Sequence, residues 1–392
     1  MRLRLVDLPM IGWALLSFLA FGVVLISLAL VSLMTIGLIP PVHAAGLDQA
    51  YLRGSTADTY SVDAPSYPVY PTTAAIPPPS YPVRAAAARP RFAVPPPPAQ
   101  LSGYTFKLGT RVWLSTGRLA KDLYDDPRSS QNLNSRLTYS GLTSSAFEGF
   151  GRADTPFGSF FKGYAGFSNL SRGALNDEDF PPALTPYSNT LSQQEGGKLA
   201  YGAIDFGQVV AQNDRIRASL FVGYGYLNEK VSAFGCDQIA GNPFICSPAL
   251  EPSLLAITED ARWQFARLGV LTEIRLLDRL SLSAEVAWLP YVQISSADTH
   301  WLRLGSAPGD IAGPIPESGG GTGVQVEALM SYAVTDCFTI GLGGRYWYLQ
   351  THGSTDFESV IVDFPSPVAQ PLNFTTWRYG GFAQGAYKFG PL

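Results

Sequence analysis

Two short acidic segments are the places where this chain could do acid–base chemistry: Asp177-Glu178-Asp179 and Asp298-Thr299-His300. His300 is one of three histidines, and charged residues make up only 15% of the chain, so an imidazole beside a carboxylate stands out from its surroundings. In an extended segment residues i and i+2 point to the same side. Asp177 and Asp179 then present two carboxylates together, and Asp298 stands beside the His300 ring. A neutral imidazole can take a proton from water, its neighbouring carboxylate orients the ring, and an opposed carboxylate pair can hold the water or shuttle a proton. The product of such an arrangement is hydrolysis without a covalent enzyme intermediate. The plainer alternative is that both segments are solvated loop acids. Which holds depends on whether the fold brings two segments so far apart in sequence to one place.

From Tyr104 onward the chain alternates apolar and polar residues with period two, the mark of a strand with one wet and one apolar face. Phe106, Leu108, Val112 and Leu114 share one face against Lys107, Gly109 and Arg111, and the last segment does the same with Trp377, Tyr379, Tyr387 and Phe389. Between these ends lie eight more segments, beginning near Arg136, Phe157, Lys198, Arg215, Trp263, Leu280, Val324 and Phe338. The total of ten is even, as closure of a single-chain barrel with both ends on one side requires.

Short connections near Ala153-Asp154-Thr155-Pro156, Gln212-Asn213-Asp214, Leu277-Asp278-Arg279 and Thr335-Asp336 alternate with long ones near 115–135, 171–197, 228–262, 293–322 and 350–376. Outer-membrane barrels sort their loops in this way, short on the periplasmic side and long outside. Aromatics at strand ends, including Trp288, Tyr224, Tyr226 and Tyr346-Trp347-Tyr348, suit the membrane interface. The fold expected over 103–392 is therefore all-β: a closed antiparallel ten-stranded transmembrane β-barrel with five long outward loops. Charged strand residues such as Arg267, Glu273 and Arg275 should face a narrow lumen filled by ion pairs, which makes free diffusion through it doubtful.

Residues 1–44 run from basic Met1–Arg4 through an apolar stretch to Val42-His43-Ala44 and read as a signal peptide, or alternatively an uncleaved anchor. Residues 45–102 are rich in proline, as in Pro95-Pro96-Pro97-Pro98, and are expected to be a disordered, extended periplasmic linker. A net charge of −4 and a pI near 5.5 leave no electrostatic footprint for nucleic acid. Cys236 and Cys246 lie close enough to close a small loop by a disulfide in an oxidising compartment, which leaves Cys337 over. No Cys/His spacing matches a zinc site, so neither a metal nor a cofactor is expected.

In its ten strands, five outward loops, Asp-x-Asp at the second loop and Asp-x-His at the fourth, the chain resembles the omptin family of outer-membrane proteases. The run from Phe161 to Asn176-Asp177-Glu178-Asp179-Phe180 is similar to that family's third strand and second-loop motif, and Ser295-Ser296-Ala297-Asp298-Thr299-His300 to its fourth-loop motif. The resemblance implies that Asp177 and His300 hold the attacking water, that Asp298 orients His300 and that Asp179 supports Asp177. It also implies an endopeptidase acting on external polypeptides.

The chain departs from the family in several ways. Of the two acids that set the family's preference for basic residues, Asp122 could match the first, but Ser296 stands where the second would be. Glu259 or Asp260 is the alternative source. The family's lipopolysaccharide motif, Tyr-x-Glu-x-Arg, is not matched, because Tyr226 and Asn228 follow Tyr224. Outer-membrane lipid is thus a partner by location rather than by motif. The reading from a different class is a barrel without catalysis, either a surface-binding or structural protein or a narrow channel.

Overall fold

The computed structural model describes residues 103–125, 132–180 and 185–390; the expected signal segment and proline-rich linker lie outside them. Eleven strands run in chain order: β1 (Thr105–Tyr124), β2 (Leu133–Asp154), β3 (Ser159–Asp179), β4 (Ser188–Gln194), β5 (Gly197–Gln212), β6 (Ile216–Gln238), β7 (Leu250–Leu277), β8 (Leu280–His300), β9 (Ile315–Ala333), β10 (Phe338–Thr355) and β11 (Gln370–Phe389). β4 and β5 are two halves of one stave, interrupted at Glu195-Gly196, since β3 and β6 each pair with both. β1 pairs antiparallel with β2 on one side and β11 on the other, so ten staves close into a ring. Closure is what a bilayer demands, because an open edge would leave a row of unpaired backbone groups in hydrocarbon.

The strands are longer than the alternation indicated. β1 to β3 have 20, 22 and 21 residues and β7 has 28, about twice the 9–11 that a tilted strand needs to cross a hydrocarbon core. Most of the expected long loops are strand instead, and the connections at that end shrink to 125–132, 180–187, 239–249, 301–314 and 356–369. Asp177, Asp179, Asp298 and His300 accordingly lie on strand ends and not in loops.

The outer and inner faces exchange character partway up the barrel. In the half nearer the short turns, large apolar side chains point outward, with Leu114 59%, Phe167 68% and Leu342 65% exposed, as a lipid-facing belt requires. Trp288, Tyr291, Tyr346 and Tyr379, all exposed, mark its upper edge. The interior at this level is polar and crowded, with a cavity of about 130 Å³ left among the charged side chains. Arg345 pairs with Glu148 at 2.7 Å and Glu327 at 2.7 Å; Arg267 pairs with Asp205 at 2.9 Å and Glu285 at 2.7 Å. Trp113, Tyr201 and Trp347 pack together and against Arg345. Arg217 and Arg152 both reach Asp154 near the short-turn end.

Above the belt the pattern inverts. Leu119, Leu137, Tyr139, Leu175, Val231 and Phe374 are buried inside, while Arg172, Lys198 and Arg262 are exposed outside.

Candidate active site

Whether an acidic side chain points into the barrel is decided by strand parity, and in two staves parity is reset by β-bulges near the upper edge of the belt. In β3, Leu170 is buried, Ser171 and Arg172 are both exposed, and Leu175 is buried again. The register with β2 slips at the same place, where Ser144 faces Leu170 but Thr143 faces Arg172. The extra residue turns Asp177 and Asp179 inward; without it they would share the outward parity of Phe167. β8 repeats the device. Leu289 faces Gly323 and Val292 faces Gly321, so an extra residue at Pro290-Tyr291 switches the inward set from Ala287 and Leu289 to Val292, Ile294, Asp298 and His300. Re-aiming side chains beside a functional site is a common use of bulges.

The two staves stand nearly opposite each other, with β4/β5, β6 and β7 between them on the shorter way round. Asp177, Asp179, Asp298 and His300 line one cavity of about 720 Å³ at the long-connection end. His300 Nε2 lies 2.9 Å from Asp298 Oδ2. Because Asp298 is ionised and can only accept, the contact selects the tautomer in which Nε2–H donates and Nδ1 is the basic nitrogen.

Asp298 is held well below the usual carboxylate range; burial opposes this most strongly, but His300 and Lys121 together outweigh it. His300 is raised above its ordinary value of 6.5, again against burial, by the Asp298 carboxylate. Asp177 is pushed up to about 7 by burial and then by the charge of Asp179, and Asp179 is itself raised by burial. Two carboxylates on one wall thus repel and share protons, while the carboxylate on the other wall stays ionised and its imidazole is made more basic. Such a split in proton affinity is what assigns acid and base roles in a hydrolytic site.

β1 carries the residue that sequence reading missed. Its register with β11 is continuous from Phe106–Phe389 to Leu123–Leu372, so no bulge changes its parity, and Lys121 points inward while Asp122 points outward. Asp122 is bonded to Arg136 at 2.7 and 3.0 Å and is not brought into the cavity. Lys121 crosses the interior to three carboxylates on three neighbouring staves: Glu259 at 2.6 Å, Asp298 at 2.7 Å and Glu317 at 2.8 Å. Those three would suit a cation by their spacing, and the Lys121 ammonium sits among them. It stays firmly protonated against the cost of burial because of Asp298, Glu259 and Glu317.

Glu259 is completely buried, and Ser296 Oγ also donates to it; Asp260 faces outward and pairs with Arg262. Of the two acids considered as alternatives, then, Glu259 lies beneath the site and Asp260 does not. Cys236 and Cys246 form a disulfide on the cavity rim.

A closed antiparallel barrel with an apolar outer belt, an aromatic upper edge and a charged interior defines an outer-membrane β-barrel protein. The structure is similar to the crystal structure of the outer membrane protease OmpT from Escherichia coli, with a TM-score of 0.58 and 14% identity over 73% of this chain and 97% of that one. Ail of Yersinia pestis (TM-score 0.23, 9% identity, 74% of this chain and 100% of that one) and the Pseudomonas putida toluene transporter TodX (0.25, 10%, 74% and 91%) align far less well. No family model matches the sequence, and no curated protein matches it.

Proposed function

We propose that the chain is an omptin-like endopeptidase of the outer membrane, with its long-connection end and cavity facing outward and the segment before the barrel on the periplasmic side. The observation that carries this reading is the convergence of Asp177-x-Asp179 and Asp298-x-His300, from opposed staves, on one cavity. His300, in its neutral form, takes a proton from a water held between it and Asp177. Asp298 orients the ring and stabilises the imidazolium that forms. Burial, reinforced by the charge of Asp179, keeps the Asp177 proton affinity near neutral. The attacking hydroxide adds to a peptide carbonyl, and the His300 proton then passes to the leaving amine. The architecture speaks against the channel reading, because the buried and ion-paired Arg345 and Arg267, with Trp113 and Trp347, obstruct the lumen below the site.

The test is cleavage of a peptide library by the barrel refolded into lipid or detergent. Wild type should cut, and His300→Ala and Asp177→Ala should each lose about 10²- to 10⁴-fold in rate, the usual worth of a general base. The heat-dependent gel migration of the barrel should be unchanged. A barrel that binds peptides without cutting any would move the assignment to the non-catalytic class.

A further inference from the structure

We infer that Lys121 sets the side-chain preference of this site: it neutralises the acidic floor of the cavity from within, so the floor accepts an uncharged, apolar substrate side chain and not a basic one. The inference rests on the peptidase reading and adds its substrate class.

By composition the cavity looks made for a cation, since Asp177, Asp179, Asp298 and Glu317 line it and Glu259 lies just beneath. At the floor that appearance is cancelled. Glu259, Asp298 and Glu317 each direct an oxygen at the same ammonium, within 2.6–2.8 Å. The ammonium thus meets from within the negative charge that the three carboxylates would otherwise offer to a ligand. An incoming Arg or Lys side chain would meet the Lys121 ammonium, and like charges juxtaposed in a poorly solvated site are penalised.

What remains around the floor is uncharged and mostly apolar: Leu123, Leu137, Ala256, Ile257 and Leu372 line the cavity with Lys121, beside the hydroxyls of Thr190 and Ser192. The position of Lys121 is also well fixed. Its ammonium and His300 Nε2 both contact Asp298 Oδ2, at 2.7 and 2.9 Å, which puts the ammonium one carboxylate away from the proposed base. A side chain next to the bond being cut is therefore the one that reaches this floor.

The experiment uses quenched fluorescent peptides identical except for one residue beside the cleaved bond: Leu, Phe, Arg, Lys or Glu. Wild type should favour Leu and Phe over Arg and Lys by roughly tenfold or more in kcat/KM, the discrimination one pocket contact supports. Lys121→Met should reverse the order in favour of Arg and Lys, because the released carboxylates then need a cation. The triple variant Lys121→Met with Glu259→Gln and Glu317→Gln, which leaves far less charge to match, should return to apolar preference. Gel migration identifies any variant that fails to fold, and the wild-type ranking then decides alone.

Preference of the wild type for Arg, Lys or Glu, equal cleavage of all five peptides, or an unaltered order in folded Lys121→Met would each overturn the inference. Affinity of the same peptides for His300→Ala, measured by calorimetry, separates it from the peptidase reading. Apolar preference in binding without any cleavage by wild type would remove the peptidase and keep the pocket; basic preference in binding would remove the pocket whatever is cut.

Discussion

The protonation of two residues governs the proposed reaction, and its sign can be worked out from their surroundings. Burial would by itself make the His300 imidazole less basic, but Asp298 at 2.9 Å overrides it and the pKa rises above 6.5. Asp177 titrates at about 7 because it is desolvated beside Asp179. A neutral His300 and an ionised Asp177 both require proton loss, so activity should climb as pH rises through neutrality, with an acid limb whose midpoint lies at or above about 7. A kcat/KM profile measured on one good peptide checks this. A rate that is greatest in mildly acid solution would mean that the protonated imidazole is the working form, and His300 would then be an acid rather than the base.

At the scale of the strand, the two bulges do what no side chain could. The extra residue at Ser171 turns the upper part of β3 by one position, and the one at Pro290-Tyr291 does the same for β8. Deleting Ser171 should therefore send Asp177 and Asp179 to the outer face, abolishing cleavage while the barrel still forms and migrates as a folded species. Residual cleavage at the wild-type rate would show that the strand re-forms its bulge elsewhere. Lower on the wall the constraint is the lipid. Leu342, 65% exposed, lies at mid-belt on β10, so Leu342→Arg should cost about 2–4 kcal/mol in denaturant unfolding from liposomes. A loss below about 1 kcal/mol would put that position at the interface rather than mid-bilayer.

For the molecule as a whole, the question is whether anything passes through. Arg345 is bonded to Glu148 and Glu327 and lies 5.0 Å from the Trp113 ring. Arg267 bridges Asp205 and Glu285 at the same general level. These networks join staves across the barrel, and cutting one partner out would leave a buried charge uncompensated. The intact protein in a planar bilayer should show no steady ion conductance. Resolved single-channel steps would mean that the ion pairs part to open a path and would revive the channel reading.

Much of the architecture was legible as pattern. The alternation of Phe106, Leu108, Val112 and Leu114, the short turns and the count of ten staves all survive in the folded barrel, because a lipid-facing surface must be apolar at every second residue. The acidic segments were visible as candidates too, since i and i+2 share a face. The upper strands were not, and the reason is inversion of the environment. Above the belt the outside is wet and large apolar side chains are buried inside, so the apolar phase in β1 passes from Leu114 outside to Leu119 inside, and a pattern read from the lower half breaks off and suggests a loop. Asp122 was a candidate by resemblance alone, and the continuous pairing of β1 with β11 turns it outward and its neighbour Lys121 inward. The contacts of Lys121 lie 138, 177 and 196 residues away. Local periodicity contains no information about such partners, because ring closure and bulges set how distant staves face one another.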